Sequence, residues 1–213
     1  TLATMLASFT LFGLNASAVE GQTQIDIPEG AETYRLGGVD YIVVRSVDQM
    51  NELATANKNG TKNYILDADL DYTGKTFTRI ALYNGSFNGN GHSITGVNIT
   101  MNEQLQHGIG LFSTTESGTN DGKLSISNLT VGAPGNPVVV STGIDAWKTD
   151  GSCRIGTLLG YVQGTTTIEN VTVYSNVNAK LAYRAGGFIG EARAKLTMKN
   201  CIFNGNVTVE DGA

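Results

Sequence analysis

A repeat with a constant offset of 30 residues constrains this chain more than any other feature. Residues 156–177 and 186–207 align without a gap, with glycine on glycine, asparagine on asparagine and apolar residues on apolar residues. Such a period is typical of architectures in which each unit buries its apolar face only against its neighbours. The units contain short strands separated by glycine or asparagine, and no helical period follows residue 60. The repeat therefore predicts an all-β fold, a right-handed parallel β-helix or solenoid.

A third copy of the repeat lies upstream, interrupted by insertions. Residues 110–112 match its glycine-apolar opening, and residues 126–131 match its closing strand. The alignment superposes one asparagine from each copy: Asn128, Asn170 and Asn200. We expect these three to be buried at matching corners, as a structural ladder in which each side-chain amide bonds to the next.

The same alignment predicts which apolar side chains point inward and stack in the core. They are Leu158, Ile168, Val171, Phe188, Met198 and Cys201. The two cysteines, Cys153 and Cys201, could pair in an exported protein. The inward position of Cys201 favours instead a buried free thiol that acts as a small apolar residue.

The N-terminus has the features of a secretory signal peptide. An uncharged apolar run over residues 2–14 is followed by Ala16-Ser17-Ala18, a small-x-small cleavage site. We interpret residues 1–18 as a signal peptide truncated at its start, with a short buried helix as the alternative. The mature protein would then begin near Val19 and be secreted or displayed at the cell surface.

We expect two further segments after the signal peptide. Residues 19–38 form a polar leader, and residues 39–213 form the β-helix domain, incomplete at its C-terminus because no closing cap is recognisable. Ser46 to Gln49 has the form of a capping box, and apolar residues then follow at helical spacing. This pattern predicts a short helix over residues 47–57, ended by Asn59-Gly60, that caps the open end of the solenoid.

The charge of the chain bears on its partners. The formal net charge is −5 and charged residues make up 15% of the chain, with no basic patch, which argues against nucleic acid as a partner. The apolar run at the N-terminus is too short to span a membrane as a helix, so we expect no membrane span in the mature chain.

Three aspartates alternate along one predicted strand and are weak candidates for a calcium site. Asp67, Asp69 and Asp71 would project from one face, where oxygen ligands could hold a hard cation. An EF-hand loop would need glycine and glutamate where this chain has Tyr72 and Thr78. A solvated strand face is the competing interpretation, and no other cofactor is expected.

No catalytic constellation can be recognised. The two histidines, His92 and His107, lie in turn or loop sequence, and no triad or zinc site is indicated. A polysaccharide lyase or hydrolase would need paired carboxylates, or calcium-binding acids with a basic residue that abstracts a proton.

The longest insertion, residues 132–152, holds the candidates for ligand contact. It contains the only tryptophan, Trp147, which could stack on a sugar ring, together with Asp145, Lys148 and Asp150, and it ends near Arg154. An ordinary polar loop is the competing interpretation, although loops on a rigid scaffold often carry function.

Residues 110–112, 156–160 and 186–190, with the asparagine-containing strands, resemble the GLUG-type repeats of bacterial proteins. Residues 65–94 are similar to the lead-in of those repeats, so that the resemblance covers residues 39–209. Such repeats occur in large surface proteins, in adhesins and beside immunoglobulin-cleaving metallopeptidases. The His-Glu-x-x-His motif of those peptidases is absent from this sequence.

The repeats are specific for the fold and say little about function, and the function that we favour is non-catalytic. We expect an exported structural or adhesive module that presents loops to an unknown surface protein or glycan, with further domains of the same polypeptide downstream. A carbohydrate-active β-helix enzyme, either a polysaccharide lyase or a hydrolase, remains an alternative. So does a repeat spacer of a larger surface protease.

Overall fold

The structure is a computed structural model, and it describes residues 24–101, 108–114, 122–142, 153–180, 182 and 184–210. Within these ranges the chain forms one helix and otherwise only strands and turns. The all-β class that the sequence predicts is confirmed.

The strands are short in the first half of the chain and long in the second. The first nine are β1 (Thr33–Leu36), β2 (Val39–Val44), β3 (Tyr64–Leu66), β4 (Leu70–Asp71), β5 (Ile80–Ala81), β6 (Ser86–Asn88), β7 (Ser93–Thr95), β8 (Asn98–Met101) and β9 (Phe112–Ser113). The remaining strands are β10 (Lys123–Val131), β11 (Val138–Thr142), β12 (Arg154–Gly156), β13 (Leu159–Val162), β14 (Thr165–Lys180), β15 (Arg184–Gly186), β16 (Ile189–Ala192) and β17 (Leu196–Glu210). The helix is α1 (Val47–Ala56).

Among the described residues the named strands form three sheets, and every strand pair except β1–β2 is parallel. The largest sheet follows the order β1-β2-β3-β6-β10-β14-β11-β8. Off this path β17 pairs with β14, β7 pairs with β10, and β4 pairs with β7. A second sheet has the order β16-β13-β9-β5, and the third pairs β12 with β15.

The 30-residue offset read from the sequence is the register in which these strands pair. Ile168 of β14 lies opposite Met198 of β17, and Ile155 of β12 lies opposite Ala185 of β15. The third copy also pairs in parallel, but at a longer offset, since Leu129 of β10 lies opposite Val171 of β14.

The repeated glycines are explained by the close approach of neighbouring backbones. A Cβ added at Gly160 would overlap the backbone nitrogen of Ile109 and lie 2.5 Å from the carbonyl oxygen of Arg154. A Cβ at Gly190 would lie 2.6 Å from the carbonyl oxygen of Gly160. These positions therefore exclude any side chain.

The helix forms where the capping box predicts it. Ser46 is the N-cap, and its hydroxyl accepts a hydrogen bond from Gln49 N at 3.2 Å, while Gln49 Oε1 accepts one from Arg45 N at 2.8 Å. The helix buries Val47, Met50 and Ala54. Its C-cap is Asn57, two residues before the predicted stop.

The leader segment also contacts the sheet. Thr33–Leu36, within the predicted leader, pairs antiparallel with β2 through a turn at Gly37 and Gly38, both of which have positive φ. Ile25 N donates a hydrogen bond to Asn90 Oδ1 at 2.7 Å.

The predicted core residues are buried to different degrees along the stack. Leu158, Ile168 and Val171 are fully buried, whereas Phe188 and Cys201 are only partly buried against the core. Met198, which the sequence places inside, is 40% exposed. The physical reason is that β17 pairs only with β14 among the described strands, so nothing there covers its other side. The two cysteines do not form a disulfide, and Cys153 is buried whereas Cys201 is half-buried.

Candidate functional site

Among the residues that the structure describes, the densest cluster of charged side chains lies where β12, β15 and β16 meet. Glu191 of β16 is buried and receives three guanidinium groups. Arg154 Nε donates to its Oε2, and Arg193 Nε donates to its Oε1 at 2.6 Å. Arg184 Nη1 forms a further ion pair with Oε1. We call these four residues the Glu191 cluster.

The electrostatics of the Glu191 cluster keep its carboxylate ionised. Burial alone would raise the pKa of Glu191, but the hydrogen bonds from Arg193, Arg154 and Arg184 outweigh this effect and lower the pKa to about 2. A catalytic general acid that works near neutral pH needs a raised pKa instead. The arrangement therefore suits a structural ion pair and not proton donation.

Tyr161 provides the aromatic wall of the Glu191 cluster. The guanidinium carbon of Arg154 lies 4.4 Å from the centre of its ring, and that of Arg193 lies at 5.6 Å. Both separations are within the range of a cation–π attraction. The Tyr161 hydroxyl accepts a hydrogen bond from Gln163 Nε2, which orients the ring.

Arg154 is the only residue of the Glu191 cluster that the sequence pattern indicated as a candidate. The repeat carries a signal that could have identified the rest, because the offset of 30 places Arg154 on Arg184 and Tyr161 on Glu191. Both pairs are register partners in the structure. Because Arg154 and Arg184 stack on each other beside a buried strand, they require a negative charge nearby. Glu191 directly follows Gly190, one of the repeated glycines, and is the acid that the repeat places there.

The asparagine ladder lies along the bend of the three long strands. Asn170 Nδ2 donates to Asn128 Oδ1 at 3.1 Å, and Asn200 Nδ2 donates to Asn170 Oδ1 at 3.0 Å. The ladder extends further than the repeat predicts, since Asn128 Nδ2 donates to Asn88 Oδ1 at 3.2 Å.

The ladder residues are less buried than the sequence leads us to expect. Asn128 and Asn170 are half-buried and Asn200 is exposed, whereas Asn88 is buried. The exposure increases towards β17, the strand that has one unpaired edge among the described residues.

The three aspartates do not share one strand. Leu66 ends β3 and Leu70 begins β4, and a bend lies between them. Asp67 Oδ2 accepts from Arg45 Nε at 2.8 Å, and Asp71 Oδ1 accepts from Thr73 N at 2.9 Å. Asp69 Oδ1 accepts from Ser93 N at 2.7 Å. Each carboxylate thus has a separate protein partner.

In the described part of the chain, no group of three or more His, Cys, Asp or Glu side chains is placed to hold a metal ion. His92 Nδ1 lies 3.5 Å from Asp69 Oδ1, and Gln24 Nε2 lies 2.6 Å from His92 Nε2. The hydrogen bond to His92 lowers the pKa of Asp69 to about 2, against the opposing effect of burial and with help from Ser93.

The remaining sequence candidates lie outside the described residues. They are the predicted ligand-contact residues Asp145, Trp147, Lys148 and Asp150, together with His107 and the predicted signal peptide.

A helix long and apolar enough to cross a membrane does not occur in the described ranges.

Comparison with known proteins gives two similarities. The sequence is 27% identical over 223 residues to halomucin from Haloquadratum walsbyi, an alignment that covers 89% of this chain and 2% of halomucin. The chain therefore spans about one-fiftieth of the length of this curated relative. A crystal structure of a candidate immunoglobulin A1 protease from Bacteroides ovatus superposes with a TM-score of 0.29 and 13% identity, covering 81% of this chain and 78% of that one. No protein-family model matches the chain.

Proposed function

We propose that this chain is an exported, surface-exposed module with a structural or adhesive role, built as a right-handed parallel β-helix that presents loops to a partner protein or glycan. The observation that carries the proposal is the shared register of β10, β14 and β17, in which matching residues of successive repeats pair in parallel. A stack of this kind is a rigid scaffold that tolerates insertions between its strands.

Within this proposal α1 covers one end of the stack. Asn51 of α1 ties the helix to the following segment, since its Nδ2 donates to Thr76 O at 2.9 Å and its Oδ1 accepts from Thr78 N at 3.0 Å. The apolar face of α1 packs into the same core as β3 and β5. A helix in this place shields strand ends from other chains.

The Glu191 cluster supports a non-catalytic role. Its carboxylate is the most buried acid of the described chain, and three arginines hold it ionised. A buried ion-pair network of this form fixes the geometry of three neighbouring strands. It provides no group that could exchange a proton near neutral pH.

The domain organisation forms part of the proposal. Residues 1–18 would be removed on export, so that the mature chain begins near Val19. N-terminal sequencing of the exported protein tests this boundary, and a start at residue 1 or earlier would contradict it.

The similarity to halomucin supports a second candidate function, that of one segment in a much larger exported polypeptide. The aligned region is 2% of halomucin, whereas it is most of this chain. An immunoblot of the source cells with antibodies against this chain would then show a band far above 22.5 kDa. A single band near that mass would contradict it.

The experiment that tests the main proposal compares binding with turnover. The purified chain is applied to arrays of glycans and glycoproteins, and incubated with acidic and neutral polysaccharides while reducing and unsaturated ends are measured. We expect binding without turnover, and weaker binding by Trp147→Ala at an unchanged melting temperature. Tyr34→Ala, which removes an aromatic of β1, is the matched control. Turnover that disappears in Asp145→Asn, Lys148→Gln or Asp150→Asn would overturn the proposal and favour the enzyme.

A further inference from the structure

An open cavity of about 610 Å³ lies beside α1, apart from the Glu191 cluster. Its lining comes from the C-terminal half of α1, from the segment before β5, and from β8 and β9. The volume is in the range of sites that hold small organic ligands.

Arg79 is the group in this cavity that requires explanation. Its Nε donates to Gly110 O at 2.9 Å, and its Nη2 donates to Gly108 O at 2.8 Å. Nη1 has no hydrogen-bond partner, and the guanidinium has no ion-pair partner, among the residues that the structure describes. Burial lowers the pKa of Arg79 to about 10, so that the side chain is still a cation at neutral pH.

Arg79 is half-buried, and a charge that is partly withdrawn from water is stabilised by hydrogen bonds or by a counter-charge. The two carbonyl oxygens of Gly108 and Gly110 fix the plane of the guanidinium. The free edge of a fixed guanidinium matches the two oxygens of a carboxylate.

The other walls of the cavity define the rest of the ligand. Lys58 adds a second positive charge, and no Asp or Glu is among its described lining residues. Phe77 and Met101 supply apolar surface, while Thr78 and Ser113 carry hydroxyl groups. The Phe77 ring is held edge-on against Tyr72, with centroids 5.0 Å apart and an interplanar angle of 77°.

We propose that this cavity binds a small acidic sugar of the hexuronate class, with its carboxylate on Arg79 and the apolar face of its ring on Phe77. Lys58 attracts the negative charge of the ligand electrostatically. The hydroxyl groups of Thr78 and Ser113, which line the cavity, hydrogen-bond the hydroxyl groups of the sugar. Such a ligand combines one negative charge, several hydroxyls and an apolar ring face, which are the features that the lining complements. The inference does not depend on the function proposed for the longest insertion.

The test is titration calorimetry of the full chain at low salt with glucuronate, glucose and inorganic phosphate as probes. We expect saturable binding of glucuronate, at least tenfold weaker binding of glucose, and weaker binding of phosphate. Arg79→Gln should weaken glucuronate binding at least tenfold, and Lys58→Gln a few-fold. Lys62→Gln, which removes an exposed lysine that does not line the cavity, is the matched control and should bind as the parent does.

Three results would overturn the proposal. Equal binding of glucose and glucuronate would exclude a role for the charge, and phosphate binding as tight as glucuronate binding would reduce the site to a general anion site. Unchanged glucuronate binding by Lys58→Gln and Phe77→Leu would place the ligand elsewhere. Lys58 is exposed, so the Lys58→Gln test remains valid if Arg79→Gln does not fold.

Discussion

Asn170 donates a hydrogen bond from its side-chain amide to Oδ1 of Asn128, and both residues adopt a left-handed backbone, with φ of 55° and 51°. Asn200 and Asn90 share this conformation, with φ of 52° and 50°. Asparagine is the residue other than glycine that tolerates this region best. Asparagine therefore suits the ladder position for two reasons: it tolerates the positive φ, and its side-chain amide forms the ladder hydrogen bonds.

Asn170→Leu should lower the free energy of unfolding by roughly 2–3 kcal/mol, because a bulky side chain at positive φ is strained and two ladder bonds are lost. Asn170→Gly retains the backbone freedom and loses only the amide, so we expect a cost of about 1 kcal/mol. Denaturant unfolding of the two variants separates the contributions. Equal costs would show that positive φ is not what selects asparagine at this position.

Gly160→Ala should destabilise the chain by about 3 kcal/mol, near the upper end of overpacking costs, because its Cβ would overlap the backbone of β12 and of Ile109. Gly135→Asn is the matched control. Gly135 lies in a turn with a φ of 75°, which asparagine tolerates, and nothing lies within 4 Å of an added Cβ, whereas Gly160 lies in β13 against neighbouring backbone. We expect its effect to be within about 0.5 kcal/mol. Thermal unfolding of both variants measures the difference, and a tolerated Gly160→Ala would contradict the close strand approach described above.

The stability of the chain should depend on pH through Glu191. Its pKa is about 2 in the folded protein, against an ordinary value of 4.5. A group whose folded pKa is depressed stabilises the fold above its unfolded pKa, and this stability is lost as the pH falls. Between about pH 5 and pH 2 we therefore expect a loss of about 3 kcal/mol from this residue.

Glu191→Gln should remove most of that pH dependence and be less stable than the parent at pH 7, because three arginines then face one another without a carboxylate. Glu169→Gln is the control. Glu169 pairs with Lys199 at 2.8 Å where water reaches both side chains, so its loss should cost much less than the loss of Glu191. Urea unfolding from pH 2 to 7 gives the comparison. An unchanged acid slope in Glu191→Gln would assign the pH dependence to other groups such as Asp69, which is 62% exposed.

The register of the long strands could be predicted from the sequence because it depends on a single spacing. Once Ile168 is aligned with Met198, the parallel register determines which residue of β17 lies opposite each residue of β14. The helix could be predicted for a similar reason, since the Ser46 cap and the apolar spacing are local signals.

The aspartates illustrate what local pattern could not reveal. The alternation from Asp67 to Asp71 predicts one strand, but Asp67 N donates to Val44 O at 2.9 Å, while Asp69 accepts from Ser93. These partners lie 23 residues before and 24 residues after, and they bend the chain between β3 and β4. Such long-range bonds override a strand pattern of five residues.

The cavity beside α1 was equally hidden in the sequence. Arg79 lies before a two-residue strand, and its partners Gly108 and Gly110 are about 30 residues further on. Neither the charge nor the spacing of Arg79 distinguishes it from an exposed arginine. Only the fold shows that its guanidinium is half-buried against two carbonyl oxygens and lines a cavity.

Among the described strands, β17 has one edge that pairs with no other strand. Ile202 and Val209 are 47% and 45% exposed on a strand of 15 residues that pairs on one side only among the described strands. Long exposed edges with apolar side chains pair with other chains. We therefore expect the chain to self-associate at high concentration, and the double variant Ile202→Lys/Val209→Lys to remain monomeric. Sedimentation velocity over a hundredfold concentration range measures this, with Thr208→Lys as a control that adds charge to the same strand without removing apolar surface. If the parent stays monomeric throughout, or if Thr208→Lys abolishes association as fully as the double variant, apolar contact along this edge is not what brings the chains together.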